Sequence, residues 1–314
     1  MEDRIVNSFK RSDVPSELLV SPNLKKLFID LGIDWLVLIT SSFLMFHTPF
    51  YLYPVWAMII AGRLHAFGVI LHDLSHLNLK HKTWSMRLLE VLSGYPIGTT
   101  ANAMAYHHIR HHRNTLMLND PYFNINKKCT GVQRFFLTFK KGLFFVPFWI
   151  FRSFYGSFAY FVPQMRNSYA RIFLQDVSKK DLTRDNEVID CAREEMPLAI
   201  FHTILLSQAF IFPQLIYTYY LVIPVAGVMC IYRLLIEHEY DIYPDKNVYT
   251  LIESTFDHHH SLWGKLFFSP RNIGYHCMHH IHPNVGLHGL PQLKKWYLTN
   301  CEIYREKYES GQKI

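Results

Sequence analysis

The sequence predicts an all-α integral membrane protein, with four transmembrane helices in two hairpins and a cytoplasmic helical cap that carries clusters of histidine. Three observations lead to this fold class. The apolar residues, which make up half of the chain, are densest in two pairs of long runs. The turn within each pair lacks Lys and Arg, and histidine clusters follow closely after each pair.

The first hairpin comprises predicted spans at residues 27–46 and 51–71. Each run has about the length that a helix needs to cross a hydrocarbon core of ~30 Å. The link between them contains Pro49 and is too short to be anything but a turn. A polar and basic segment, residues 1–26, precedes the hairpin, and we expect it in the cytoplasm.

The second hairpin comprises predicted spans at residues 197–216 and 219–236. Pro213 and the aromatic cluster at residues 217–220 mark its middle, as side chains at a membrane surface would. The alternative is a pair of buried helices in a soluble protein. The near absence of charge within these runs favours the membrane.

The region between the hairpins is expected to lie at the cytoplasmic face. Residues 133–163 are crowded with aromatic side chains and flanked by basic ones, which predicts a helix in the membrane interface. A fifth crossing is the alternative, and it would put the later histidines on the wrong side. Residues 175–195 predict a charged amphipathic helix. The membrane domain is expected over residues 27–293, with residues 294–314 as a cytoplasmic tail.

The basic residues indicate the orientation. They precede the first span and fill the region between the hairpins, so both ends and the centre of the chain are expected in the cytoplasm. Four crossings then bring every histidine cluster out on that side. The net charge of +7 fits an anionic membrane surface. No Lys/Arg stripe or nucleic-acid motif accompanies this charge, so no nucleic-acid partner is expected.

Nine histidines have the spacing of metal ligands. Imidazoles three or four residues apart project from one helix face, and imidazole binds iron, copper, nickel and zinc. Nine such groups exceed the needs of one ion but suit two ions side by side. The candidate ligands are His72, His76, His108, His111, His112, His238, His276, His279 and His280.

These residues resemble the three histidine boxes of the membrane fatty acid desaturase and hydroxylase superfamily. Box one is His-Asp-Leu-Ser-His at residues 72–76, and box two is His-Ile-Arg-His-His at residues 108–112, followed by Asn-Asp-Pro. Box three is His-Cys-Met-His-His at residues 276–280, and His238 stands where this family places an extra ligand. The resemblance covers roughly residues 60–293.

The resemblance implies a di-iron centre at the cytoplasmic face of the membrane. Two iron ions would activate O2 as a co-substrate, because cofactor metals carry out oxygen chemistry that side chains cannot. The reaction would attack an unactivated C–H bond, commonly in an acyl chain. A lipid or acyl substrate from the bilayer is therefore expected. The sequence contains no cytochrome b5-like haem motif, so we expect a separate electron donor of the ferredoxin or cytochrome b5 type.

The chain departs from the family pattern at three places. An additional His107 precedes box two, and Met278 stands where many members carry an acidic or amide residue. A run of three histidines, residues 258–260, approaches box three. We expect this run to be a solvated loop rather than a third metal site. These departures leave the identity of the substrate open.

Four residues near the boxes are candidates to support the ligands. Ligating imidazoles usually donate their other N–H to a carboxylate, carbonyl or water, which favours Asp73 and Glu237, with ordinary surface charge as the alternative. Asn272 would hold a water near one metal or cap the helix of box three. His107 would hydrogen-bond a ligand or lie at the surface.

Further residues are placed around the centre. His65 lies about two helical turns before box one and His81 falls in a charged turn, so neither is expected to bind metal. The aromatic segment at residues 135–161 and the turn at residues 95–102 are expected to line an apolar tunnel for the substrate.

Three functions are compatible with this pattern. The leading one is O2-dependent desaturation of a fatty acyl chain. A hydroxylase or ketolase acting on acyl lipids or carotenoid rings would use the same centre, and would differ by adding oxygen rather than removing a second hydrogen. A metal transporter is a distant alternative, because transport needs ligands inside the spans and the boxes lie beyond their ends.

Overall fold

The computed structural model describes residues 9–122, 131–239, 242–258 and 261–310. Within these ranges the chain forms α-helices joined by turns and short 3-10 and π segments, without β-strands, as an all-α class requires. The α-helices are α1 (Leu24–His47), α2 (Tyr53–Ser75), α3 (Trp84–Leu89), α4 (Ala101–Asn114), α5 (Gly131–Phe161), α6 (Arg166–Ser168), α7 (Asn186–Ser207), α8 (Pro213–Ile236), α9 (Val248–Ser254), α10 (Leu262–Phe267), α11 (His276–Ile281), α12 (Leu290–Asn300) and α13 (Glu302–Glu309).

Three helical stretches of the described chain are long and apolar enough to cross a membrane: Leu24–His47, Phe50–Ser75 and Pro213–Ile236. They overlap three of the four predicted spans. The first two pack against each other as an antiparallel pair, and the indole of Trp56 donates to the hydroxyl of Thr48 across their turn at 2.9 Å. Composition and length thus support a membrane protein.

The third predicted span, residues 197–216, does not coincide with a single helix. Helix α7 ends at Ser207, and a 3-10 turn over Gln208–Phe210 leads to α8, which begins at Pro213. Proline at the start of a helix costs no hydrogen bond, because the first N–H groups have no partner within the helix. The turn of this pair therefore lies earlier than the predicted break before residue 219.

Helix α7 also extends further towards the N-terminus than the apolar pattern indicated. The side chain of Asp185 accepts the N–H of Val188 and begins the helix there. The predicted amphipathic helix at residues 175–195 is therefore the first half of α7, preceded by turns. Glu195 is fully buried and pairs with Arg152 of α5 at 2.7 Å. The charged side chain of Glu195 is therefore part of the protein interior. The pattern of apolar residues does not predict this.

Helix α5 packs along both α7 and α8. Its backbone touches that of α8 where Gly142 meets Gly227 and Val228, and neither glycine leaves room for a side chain. Val146 and Trp149 continue the contact in the main apolar core. The aromatic segment is thus one long helix in the bundle, and its position in the membrane interface stays a prediction.

A second apolar cluster forms the cap. It joins the N-terminal segment through Val14 to helices α9, α11, α12 and α13. Cys277, Met278 and Ile281 of α11 are buried in it, which fixes the helix of box three. The predicted boundary after residue 293 falls within α12, and the segment beyond it packs onto this cap.

A network of charges links the cap to the first helix pair. Arg271 pairs with Asp30 at 2.9 Å and with Asp34 at 2.8 Å. Arg63 of α2 pairs with the same Asp34 at 2.8 Å. Arg271 has a positive φ of 56°, so the chain turns sharply here, just before box three. The acidic residues at the start of α1 therefore hold the approach to α11.

Candidate metal centre

Four segments bring the nine predicted ligands together. Box one lies at the C-terminal end of α2, box two on the last turns of α4, and box three on α11. His238 follows the end of α8. His76 is half-buried and the other eight rings are buried.

The nine rings form two adjacent groups. Group one consists of His72, His76, His108, His112 and His279, whose candidate ligand atoms all lie within 4.8 Å of one another. Group two is built on His111, His238 and His280, which satisfy the same limit, and His276 joins it. The Nε2 atom of His276 lies 3.0 Å from that of His238.

The nitrogen–nitrogen distances in group one suit a metal ion. The Nε2 atom of His108 lies 3.1 Å from that of His76 and 2.8 Å from that of His112. The Nε2 atom of His112 lies 2.9 Å from that of His279. Metal–nitrogen bonds of about 2.1 Å at right angles put two ligand atoms about 3 Å apart. A shared ion satisfies all four nitrogens, which hydrogen bonds among neutral rings cannot.

The protonation of the rings also suits metal binding. Burial lowers the pKa of His112, His279 and His280 well below the ordinary value. These imidazoles are therefore neutral, which is the form that binds a metal. The buried Nε2 atoms of His111 and His280 have no hydrogen-bond partner among the described residues. The residues of both groups thus fit two metal ions.

Asp120 and Thr115 support two ligands of group two. Nδ1 of His111 donates to the Asp120 carboxylate at 2.8 Å, so that Nε2 is left for the metal. The hydroxyl of Thr115 lies 3.2 Å from Nδ1 of His280. Asp120 belongs to the Asn-Asp-Pro that follows box two, and that motif was the signal for it. Thr115 has no comparable signal in the sequence.

Glu237, a candidate from the sequence to support a ligand, lies behind group two. Its Oε1 atom accepts from Arg233 at 2.9 Å and from His258 at 3.0 Å, and lies 3.5 Å from Nδ1 of His276. Burial by itself would raise the pKa of Glu237, but Arg233 and His258 outweigh it and lower the pKa. The carboxylate therefore stays ionised beside the ligand.

The expectation of a solvated histidine run before box three is wrong for His258. This side chain is buried and holds Glu237, and its own N–H donates to the carbonyl of Gly274 at 2.9 Å. The sequence did not show that a carboxylate from the end of α8 would reach it. The other two histidines of the run, residues 259–260, lie outside the described residues.

Asp73 and Asn272 serve the loop after box three rather than the ligands. A carboxylate oxygen of Asp73 accepts the N–H of Leu287 at 3.3 Å, and the Asn272 amide donates to the carbonyl of Leu287 at 3.3 Å. Asn272 has a φ of 67° and lies in the turn before α11, whose N-cap residue is Tyr275. It therefore does not cap that helix, and its side chain makes no hydrogen bond to a ligand among the described residues.

His107 contacts the centre through an aromatic residue. Its Nδ1 atom lies 2.7 Å from the hydroxyl of Tyr122, and the ring of Tyr122 stacks on that of His111 with centroids 4.2 Å apart. Burial lowers the pKa of His107 to about 3, so it is neutral. Tyr122 was missed from the sequence. His65 is buried outside both groups, and His81 is exposed.

An apolar pocket opens beside the two groups. Its floor is formed by the ligands His72, His108, His111 and His276. Its walls come from α2, α4, α5, α8 and the turn before α4, and include Ile97, Met104, Phe145, Val146, Trp149 and Ala226. Both segments that were predicted to line a tunnel contribute to it. Some of the candidate metal ligands thus also line a pocket that could bind an apolar chain.

Comparison with known proteins supports this arrangement. Residues 48–311 match the family described as Fatty acid desaturase, a stretch that contains all nine histidines. No curated protein and no solved structure matches the chain. The family implies an oxidoreductase, generally uses iron and, with the apolar helices, suggests a membrane protein. Because the match covers most of the sequence, the chain belongs to the fatty acid desaturase family.

Proposed function

We propose that the protein is a membrane-bound di-iron oxidoreductase that uses O2 to introduce a double bond into a fatty acyl chain. The observation that carries the proposal is the meeting of nine imidazoles, nearly all buried, in two adjacent groups at the floor of an apolar pocket. Two iron ions would be held by nitrogen alone, one by group one and the other by group two. When bound, the iron pair would activate O2 for the removal of hydrogen from an unactivated C–H bond.

The residues behind group two orient its ligands. Asp120 accepts from Nδ1 of His111 and Glu237 lies beside Nδ1 of His276, so the Nε2 atoms of these rings are left to hold an ion. A hydrogen bond from an imidazole N–H to a carboxylate also strengthens the ring as a donor to the metal. The buried Arg233 balances the charge of Glu237 at 2.9 Å, which makes a buried carboxylate tolerable here.

The pocket positions the chain and excludes water. Side chains such as Phe145 and Val146 offer only apolar surface, so a methylene chain is favoured over water. The ligands His72 and His108 line the same space, which puts a bound chain next to the metals. Holding the reacting carbon close to the oxidant supplies much of the catalysis in such a site.

The partners and orientation are part of the proposal. The substrate would enter from the lipid, and a separate ferredoxin or cytochrome b5 type protein would supply electrons. The centre would face the cytoplasm, because the basic residues precede the first span and lie between the two pairs of helices. A cysteine placed at Ser261 should then be labelled from the cytoplasmic side alone.

The test is product analysis of the iron-loaded protein. The gene is expressed in a host that lacks the product, and the lipids are profiled under air and under argon. New double bonds that need air support the proposal. Added oxygen in the products would indicate the hydroxylase or ketolase instead. Metal uptake into vesicles without any O2-dependent product would indicate the transporter, and iron quantification on the purified protein checks the di-iron assignment.

A further inference from the structure

The pocket beside the metal groups is not apolar throughout. His65 of α2 and Arg233 of α8 also line it, and they are 4% and 7% exposed. Each buries a polar atom that has no hydrogen-bond partner among the described residues, namely Nε2 of His65 and Nε of Arg233. A buried polar atom without a partner is costly, and in a ligand pocket it marks a place where a ligand supplies the partner.

His65 offers an acceptor at this position. Its Nδ1 atom lies 2.9 Å from the carbonyl oxygen of Phe267. A carbonyl oxygen only accepts, so Nδ1 carries the hydrogen. In the neutral ring Nε2 then has a lone pair and no hydrogen. The pocket wall at this point accepts a hydrogen bond and cannot give one.

Arg233 offers a donor. Its Nη1 atom is engaged by Glu237 at 2.9 Å, and this pair holds the guanidinium in place. The unpartnered Nε carries a hydrogen, because arginine has donors and no acceptor. Both side chains line the same pocket, so the acceptor of His65 and the donor of Arg233 face one cavity.

A paired donor and acceptor of this kind complements a hydroxyl group, which gives one hydrogen bond and receives another. We propose that the pocket selects an acyl chain that carries a hydroxyl group, and that His65 Nε2 and Arg233 Nε hold this hydroxyl. His65 precedes the ligand His72 by seven residues, which is about 10 Å along a helix. The hydroxyl-bearing carbon therefore lies several bonds away from the carbon at the metals. The proposal rests on the proposed function and narrows its substrate class.

The inference predicts a preference in binding that does not depend on turnover. Trp149 lines the pocket, so a dibromostearate molecule bound there should quench its fluorescence. The signal from this tryptophan is isolated as the difference between iron-loaded protein and its Trp149→Phe variant in detergent. Stearate and a series of monohydroxystearates, with the hydroxyl moved along the chain, then compete with the probe.

One hydroxystearate of the series should displace the probe about tenfold better than stearate, since a site built for a hydroxyl is left unsatisfied by a bare chain. His65→Leu removes the acceptor and should bring the two competitors to equal strength. His65→Gln keeps a donor for Phe267 and an acceptor for the ligand, and should retain part of the preference. Val69→Ala, one turn further along the same wall, should change both competitors alike and leave their ratio as in the wild type.

Equal competition by stearate and all hydroxystearates would overturn the inference. So would a preference that survives His65→Leu, or the absence of displacement by any of these chains. Quenching by dibromostearate in each variant reports that its pocket is intact. Iron content and O2-dependent products are measured on the same preparations. A protein that binds iron and forms double bonds but shows no preference for a hydroxylated chain would contradict this inference alone. A protein that binds no iron and forms no product would contradict the proposed function.

Discussion

The two histidine groups are built from the same ligand but differ in what lies behind the rings. Group two has Asp120 on His111 at 2.8 Å, Thr115 on His280 at 3.2 Å, and Glu237 at 3.5 Å from Nδ1 of its His276 ring. In group one, the Nδ1 atoms of His72, His112 and His279 have no hydrogen-bond partner among the described residues, and in group two the same holds for His238 and His276. The difference is that group two has the carboxylates of Asp120 and Glu237 beside its rings.

This difference bears on the metals. A carboxylate behind an imidazole fixes the ring and increases the electron density on its metal-binding nitrogen. We therefore expect group two to hold its ion more firmly, and group one, which has five rings and less support, to hold its ion more loosely. Two ions with nitrogen ligands alone would then differ in affinity, and the predictions below test that difference.

The largest effect is expected from removing one ligand of either group. His279→Ala and His111→Ala should each lower activity by more than about 100-fold, since loss of an outer partner alone costs 10- to 100-fold. Bound iron should fall in both, while membrane insertion is retained. His81→Ala, at an exposed histidine, is the control. Full turnover by either ligand variant would show that its group does not take part in the reaction.

The next effect isolates group two. Asp120→Asn keeps the size of the side chain and one of the two oxygens, which accept separately from the N–H groups of Leu116 and Tyr122. It removes the charge behind His111, so iron affinity at group two should drop by about 10- to 100-fold. Iron loss to a chelator, followed by spectroscopy that resolves the two ions, measures this. Equal loss from both groups would contradict the contrast between them.

A smaller effect is expected at Thr115. Thr115→Val keeps the shape and removes the hydroxyl that lies beside Nδ1 of His280. The loss of one neutral hydrogen bond is worth about 1 kcal/mol, or roughly fivefold in affinity. The chelator experiment should show this change in group two alone. An effect as large as that of Asp120→Asn would mean that charge is not the main support.

The smallest effect on the metals is expected at Asp73. Its carboxylate accepts the N–H of Leu287 and makes no hydrogen bond to a ligand ring among the described residues, although Asp73 stands next to His72 in the sequence. Asp73→Asn keeps an oxygen that can accept this N–H, so iron retention should stay within about twofold of the wild type and stability within about 1 kcal/mol. Iron retention that falls as far as in Asp120→Asn would restore Asp73 as a support for the ligands.

The ligands were predictable because their spacing is local. Rings three or four residues apart share a helix face whatever the rest of the fold does, so each box could be identified alone. Glu237 could be identified for the same reason, since it adjoins His238. The sequence did not predict the contacts of Thr115 and Tyr122 with the ligands, or the burial of His258. Each depends on segments that are far apart in the chain or are brought together by a turn.

The helices show the same division between local and distant information. The apolar runs of the first pair predicted α1 and α2, because a continuous run is a local property. The sequence analysis divided α7 into a charged helix and an apolar span, because only the fold shows that Glu195 is buried against Arg152. A charged residue in a sequence is usually predicted to lie at the surface. Whether it is buried depends on a partner of opposite charge on another helix.

The ligands are spread from His72 near one end of the chain to His280 near the other. A bound ion pair would therefore act as a cross-link between four distant segments, and would favour the folded protein over any partly unfolded form that cannot bind it. The lifetime of the protein in a cell would then depend on the supply of iron. Starvation for the metal would remove the polypeptide by proteolysis as well as its activity.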